Sequence, residues 1–249
     1  MSYIKKNLIL FCIIFIGVST IIGIYNWKSK GTFLNNQRKL PIYSVDTKEK
    51  KIAITFDASW GDDKTEDILK TLDKYNAKAT FFIVGAWVDQ YPKMLNILDE
   101  KGHEVGNHSN KHPIMTTISK EKMIEEIAAT DAKIMSITGK QTTLFRCPSG
   151  EYNDLVIGTV QSTNHYCIQW DADSIDWKEE GAEIEYNRII KKTRPGSILL
   201  FHNDAKYTPE NLEKILQHFK AQGYEFVTVS DLIYKKNYYI NESGKQLQK

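Results

Sequence analysis

From residue 51 onward the chain alternates short apolar runs with longer segments whose apolar residues recur at helical spacing. The runs KIAITF (51–56), KATFFIV (78–84), HEVG (103–106), TLFR (143–146), HYCIQW (165–170), SILLF (197–201) and EFVTV (225–229) read as strands. Helical patterns lie between most of them. In 65–75, Ile68, Leu69, Leu72 and Tyr75 share one face. The segment 119–139 opens on Ser119 as a cap and closes on Gly139, and 208–219 opens on Thr208 as a cap with Pro209 at the first helical position. Strands alternating with helices predict an α/β fold with a parallel sheet and right-handed crossovers. Seven strands in this length suit an open doubly wound sheet or a closed barrel, and periodicity does not choose between them. In either architecture, chemistry gathers at the C-terminal ends of the strands.

The chain before residue 51 follows another pattern. After Lys5 and Lys6 comes an uncharged, almost wholly apolar run at 8–25. As a helix it would reach about 27 Å, close to the roughly 30 Å of a bilayer's hydrocarbon. No small-x-small cleavage site follows, and Tyr25 and Trp27 suit the membrane interface. Residues 1–27 therefore read as an uncleaved signal anchor, a single N-terminal transmembrane helix with the domain on the outer face. Residues 28–50 are polar and aperiodic, as in a linker; 51–235 form the domain; 236–249 read as a polar tail.

Charge narrows the partners. With 33 basic and 31 acidic residues in 249, the chain lacks the basic excess of a nucleic-acid protein. Three cysteines make no disulfide framework. Cys12 lies in the apolar run. Cys147 and Cys167 can pair only if their strands are neighbours, and read as two buried thiols.

Polar clusters stand at five strand ends: DASWGDD (57–63), NHSNKHP (107–113), RCPSGEYN (146–153), DADSIDW (171–177) and HND (202–204). Random solvation would scatter acids and histidines over both ends of the strands. His108 and His112 are spaced i, i+4, which on a helical turn puts both imidazoles on one face, a pairing suited to zinc or another divalent transition metal. Alone, such a pair is more often a surface feature.

Together the five clusters resemble the polysaccharide deacetylases of carbohydrate esterase family 4, the NodB-type domain, over about residues 50–235. The wording TFDASWGD is closest to the sporulation deacetylases of the PdaB type. The resemblance implies a distorted (β/α)7 barrel and removal of N-acetyl groups from amino sugars of a cell-wall glycan such as peptidoglycan. It implies Asp57 as base, Arg146 holding the Asp57 carboxylate, and His108 and His112 as ligands of a divalent metal, zinc or cobalt. It makes His202 the general acid oriented by Asp176, gives the Ser149 main-chain N–H an oxyanion role, and places Trp177 and Leu200 in the acetyl pocket. Two positions depart from the family pattern. Ala58 stands where a metal carboxylate is usual, and Ser149 where an aromatic is usual.

These roles meet the needs of amide hydrolysis. A metal acidifies water and polarises the carbonyl, a carboxylate accepts the water's proton, and an imidazolium protonates the leaving amine. With Ala58, Asp57 or a displaced Asp62 or Asp63 would have to complete the metal shell; otherwise Asp62 and Asp63 start the next helix. A different class is a weak or inactive glycan-binding domain with a structural role at the envelope. It needs no acid and base pair. A two-carboxylate glycoside hydrolase leaves His108 and His112 without a role. Trp60 suits core and surface equally. His103, His165 and His218 read as structural, Asp171 and Asp173 as capping or solvated, and Glu104 and Asp204 carry no assignment.

Overall fold

The apolar runs become strands because the central ones, at 51–58, 80–83 and 198–202, are buried on both faces, as a sheet covered by helices requires. The structure, a computed structural model, describes residues 38–249. In chain order its elements are β1 (Ser44–Val45), β2 (Lys51–Ala58), α1 (Thr65–Lys74), β3 (Thr80–Ile83), α2 (Gly85–Gln90), α3 (Pro92–Glu100), β4 (Glu104–Asn107) and α4 (Lys120–Thr138). There follow β5 (Leu144–Phe145), α5 (Asp154–Ser162), β6 (Tyr166–Cys167), β7 (Ala172–Asp173), α6 (Ala182–Lys192), β8 (Ile198–His202), α7 (Thr208–Ala221), β9 (Glu225–Val227), α8 (Val229–Leu232), β10 (Tyr238–Ile240) and β11 (Lys245–Gln248). Lys39–Lys249 form one compact unit.

The main sheet runs β6-β5-β4-β3-β2-β8-β7, with β9 also paired to β2, and every pairing in it is parallel. This is a (β/α) half-barrel. The two edge strands, β6 and β7, do not pair with each other, so the expected barrel is not closed by hydrogen bonds. The segment before β2 lies between the open sides: Ile42 bridges to Ile168 and Ser44 to Ser197.

β2 shows how the site is aimed. Ile52, Ile54, Phe56 and Ala58 belong to the cluster packed under the helices, together with Trp87, Leu69 and Leu212. The intervening residues, Ala53, Thr55 and Asp57, face the inside of the half-barrel, as the two-residue period of a strand dictates. Phe56 stacks on Phe81 of β3 at 4.9 Å and meets Phe201 of β8 at 5.8 Å.

All seven expected strands are present, with β7 added inside the cluster 171–177. Ser119 caps α4 by accepting from the Lys122 N–H at 3.2 Å, and Gly139 ends that helix at φ 70°. Thr208 does not cap α7; its hydroxyl turns inward to Asp176. The expected boundaries also shift. Ile42 and Val45, inside the expected linker, are buried apolar residues. Residues 236–249, expected as a tail, form the β10–β11 hairpin, which pairs with β1. The sequence hid this because Gln246, polar by type, is fully buried and holds both backbone groups of Tyr234, each at 2.8 Å. The anchor expected at 1–27 lies outside the described residues. Among those described, no helix is long and apolar enough to cross a membrane.

Gln246→Ala leaves two part-buried backbone groups without partners and is predicted to cost about 1–3 kcal/mol in denaturant unfolding. Unchanged stability would mean that the hairpin is not part of the cooperative fold.

Candidate active site

Asp57 closes the inward face of β2 and is 6% exposed, which makes its charge costly unless paired. Arg146, fully buried just after β5, donates from Nη1 to Asp57 Oδ1 at 2.7 Å. Its guanidinium lies 4.0 Å from the centroid of the Phe82 ring, and Nη2 donates to the Gln169 carbonyl at 3.3 Å. Burial opposes ionisation of Asp57, but Arg146, with His108 and His202, outweighs it and holds the carboxyl below its usual range.

His108 follows β4. Its Nδ1 lies 2.9 Å from the Arg146 carbonyl, so Nδ1–H is the donor and Nε2 faces Asp57 Oδ2 at 3.5 Å. Burial, partly offset by Asp57, drops its pKa to about 4, leaving the ring neutral at ordinary pH. His112 meets it edge-on, with ring centroids 4.9 Å apart. No helical turn brings the two together, contrary to the spacing argument. The 108–112 segment is a loop with positive φ at Ser109 (65°) and His112 (56°). The Ser109 hydroxyl accepts from the His112 N–H, and Glu126 Oε2 accepts from the N–H groups of Asn110 and Lys111. The carbonyls of Ser109 and Asn110 accept from Gly85 and Ala86 at the start of α2. Gly85 permits this approach, since a Cβ there would stand 2.4 Å from Asn110 Oδ1.

Opposite this pair, His202 ends β8. Its Nδ1 lies 2.6 Å from Asp176 Oδ1, and its backbone N–H donates to Asp176 Oδ2 at 2.7 Å. Burial works against the imidazolium, but Asp176, reinforced by Asp57 and Asp173, raises its pKa to about 9. The neighbouring β2–β8 register sets Asp57 beside His202 directly.

Asp57, His108, His112, Asp176 and His202 line a groove of about 640 Å³, with Arg146 buried behind Asp57. Ser149, Trp177 and Leu200 line it too, Ser149 in a turn at φ 56°. Sequence reasoning missed Trp170, Asp173 and Asp204, also in the wall. Asp173 accepts from Trp170 Nε1 at 3.0 Å instead of capping a helix, a pairing that no local spacing announces. Trp60 is 63% exposed at the rim, tilted 5.4 Å from His112. Its loop is held by Trp87 Nε1 and Asn203 Nδ2, both donating to the Gly61 carbonyl. Asp171 is outside the site and ties Arg194, Ser197 and Ile198 at the start of β8. His103, which accepts from the Ala79 N–H, and His165, beside the Thr142 hydroxyl, lie outside the groove. Cys147 and Cys167 are buried free thiols with Sγ atoms 3.7 Å apart.

The polysaccharide deacetylase family profile matches residues 44–168, half of the chain. The chain belongs to the polysaccharide deacetylase family. Among relatives of this family, the peptidoglycan-N-acetylmuramic acid deacetylase PdaA of Bacillus subtilis is 32% identical over 198 residues, 78% of this chain and 75% of that protein. A peptidoglycan-N-acetylglucosamine deacetylase of Bacillus cereus is 36% identical, covering 78% of this chain and 93% of its own. In fold, the chain is also similar to a CE4 family pseudoenzyme of Bacillus anthracis, with a TM-score of 0.75 and 32% identity over 79% of this chain and 69% of that one. A mutant of that pseudoenzyme is described as having restored enzymatic activity.

Deacetylases of this family generally depend on a divalent metal. The side chains here do not complete such a site. Two neutral imidazoles converge, but among the described residues no group of three His, Cys, Asp or Glu could hold an ion. Ala58, in the carboxylate position, has its side chain in the layer under the helices. Asp57 is engaged by Arg146, while Asp62 and Asp63 do not line the groove; the Asp62 carbonyl accepts from Thr65 at the start of α1. Two neutral ligands do not offset a dication's charge. Calorimetric titration with zinc is therefore predicted to give micromolar or weaker binding, lost in His108→Ala. Nanomolar binding would show that a further donor joins the two histidines.

Proposed function

We propose that the chain hydrolyses N-acetyl groups of amino sugars in peptidoglycan. The observation that carries this reading is the opposition of two differently tuned pairs across one groove: Asp57 with Arg146 and His202 with Asp176. One supplies a carboxylate that stays ionised, the other an imidazole that stays protonated. The relatives named for removal of acetyl from N-acetylglucosamine or N-acetylmuramic acid support the substrate class.

In this reading the acetamido group lies between the pairs. Asp57, aimed by Arg146, accepts the proton of the attacking water. Leu200 and the exposed Trp177 flank the acetyl methyl, and the Ser149 main-chain N–H faces the oxyanion. His202 donates its proton to the nitrogen as the C–N bond breaks, and Asp176 stabilises the imidazolium that makes this possible. The products are acetate and a free amino sugar. The outer-face location and the sporulation context belong to this reading too, resting on the apolar run at 8–25 and on the TFDASWGD wording.

A second reading, a glycan-binding domain without turnover, is favoured by one observation, Ala58 in place of a carboxylate. The pseudoenzyme neighbour has the same fold. Acetate release from N-acetylated peptidoglycan by the purified full chain separates the two, run with chelator, with zinc and with cobalt. The deacetylase reading predicts release that Asp57→Asn lowers by at least about 100-fold. No release under any of the three conditions would establish the binding domain.

The pH dependence follows from the two pairs. The base is ionised once pH exceeds its lowered pKa, and the acid is lost as pH rises through about 9. Turnover is predicted to vanish above that pH, and His202→Gln to remove this alkaline limb along with most of the rate.

A further inference from the structure

Behind the His202–Asp176 pair lies a buried carboxyl that the reaction above does not use. Glu185, in the first turn of α6, is 3% exposed. Its Oε1 is 3.2 Å from the Thr208 hydroxyl, which is also 2.8 Å from Asp176 Oδ2. Asp176 Oδ1 in turn holds His202 Nδ1. Four side chains thus form one chain, from α6 through the start of α7 to the end of β8.

Counting hydrogens decides the protonation state. Thr208 has one hydroxyl hydrogen and two carboxyl neighbours. The shorter contact assigns that hydrogen to Asp176. If Glu185 were ionised, its Oε1 would face the Thr208 oxygen with no hydrogen between them. Its Oε2, also buried, has no partner at all, and a carboxylate there would be an uncompensated buried charge. A proton on Oε1 completes the chain as Glu185 O–H to Thr208, then Thr208 O–H to Asp176.

We propose that Glu185 is a positioning residue: protonated, it commits the Thr208 hydrogen to Asp176 and so fixes the carboxylate that holds His202. This rests on the reading of His202 as general acid. Asp176 and Glu210 of α7 favour the protonated form of Glu185, while Asn211 and Thr208 oppose it. Burial first, then the charge of Asp176, raises its pKa to about 7. His202 itself is faced by Asp176, Asp57 and Asp173. When Glu185 ionises it frees Thr208 and adds a negative charge behind Asp176, which makes His202 a weaker acid.

The test compares the full chain with Glu185→Gln, whose carboxamide donates to Thr208 at every pH and cannot ionise. His202 is followed by imidazole NMR, its signals assigned from His202→Gln, and kcat is followed over the same pH range. In the wild type, the His202 signals should shift first near pH 7 and again near 9. Glu185→Gln should lack the first step, and its remaining titration should fall at lower pH. On the alkaline side kcat should decline from about pH 7 in the wild type, whereas in Glu185→Gln it should hold until His202 itself titrates, with KM unchanged. Glu185→Ala, which cannot hold Thr208, should lose kcat at every pH. Superimposable His202 titrations in wild type and Glu185→Gln would overturn the proposal. So would a folded Glu185→Gln that loses kcat throughout, since an ionised carboxylate would then be what the site needs. The NMR difference without turnover in either protein would count against the deacetylase reading and support the relay.

Discussion

A charged pair sealed inside the half-barrel is the constraint from which the rest of the site follows. Asp57 ends a strand that is buried on both faces, where an unpaired carboxylate would be neutralised or would break the fold. Arg146 meets that cost with a direct bond, a carbonyl partner and the face of Phe82. It does more than pair. Its own carbonyl fixes the tautomer of His108, and its N–H continues the β4 pairing by donating to the Asn107 carbonyl. One residue therefore sets the charge of Asp57, the orientation of the first histidine and the join between two strands. Removing the guanidinium would unpair Asp57 directly, while the contacts to His108 and β4, made by the main chain of the same residue, would remain.

The same strand end explains which part of the site is present and which is incomplete. Residues 57 and 58 face opposite sides of β2, so the carboxylate at 57 enters the groove while the methyl of Ala58 joins the helix-facing layer. Asp57 and His202 are each assembled with their partners, Arg146 and Asp176. The metal-binding donors stop at two. Proteins similar to this chain include deacetylases as well as a pseudoenzyme, so the fold by itself does not decide turnover.

Much of this was legible in the chain. The strand periods gave a parallel α/β sheet, and acids and histidines collected at five strand ends marked its functional side. The quoted motifs then paired Asp57 with Arg146 and Asp176 with His202, and both pairs are in contact. What could not be read depended on contacts distant in sequence or on unusual backbone. His108 and His112 converge through positive φ angles in a loop, which i, i+4 spacing mistakes for a helix. Thr208 has the composition of a helix cap, yet Asp176, 32 residues earlier, claims its hydroxyl. Strand β7 is two residues long, too short for any period, and Gln246 sits buried in a segment that reads as a polar tail. Trp60 reads equally as core or surface until its loop is seen pinned at Gly61.

The central claim is that Arg146 keeps a buried Asp57 ionised as the base of the site. The most direct measurement is the titration of the Asp57 carboxyl by carbon NMR in aspartate-labelled protein, assigned from Asp57→Asn, in the wild type and in Arg146→Met. The wild-type carboxyl should remain ionised below the usual aspartate pKa of about 3.9, and loss of the guanidinium should carry it well above that value as burial prevails. An Asp57 that titrates at or above the ordinary value in the wild type, or that ignores the loss of Arg146, would contradict the claim.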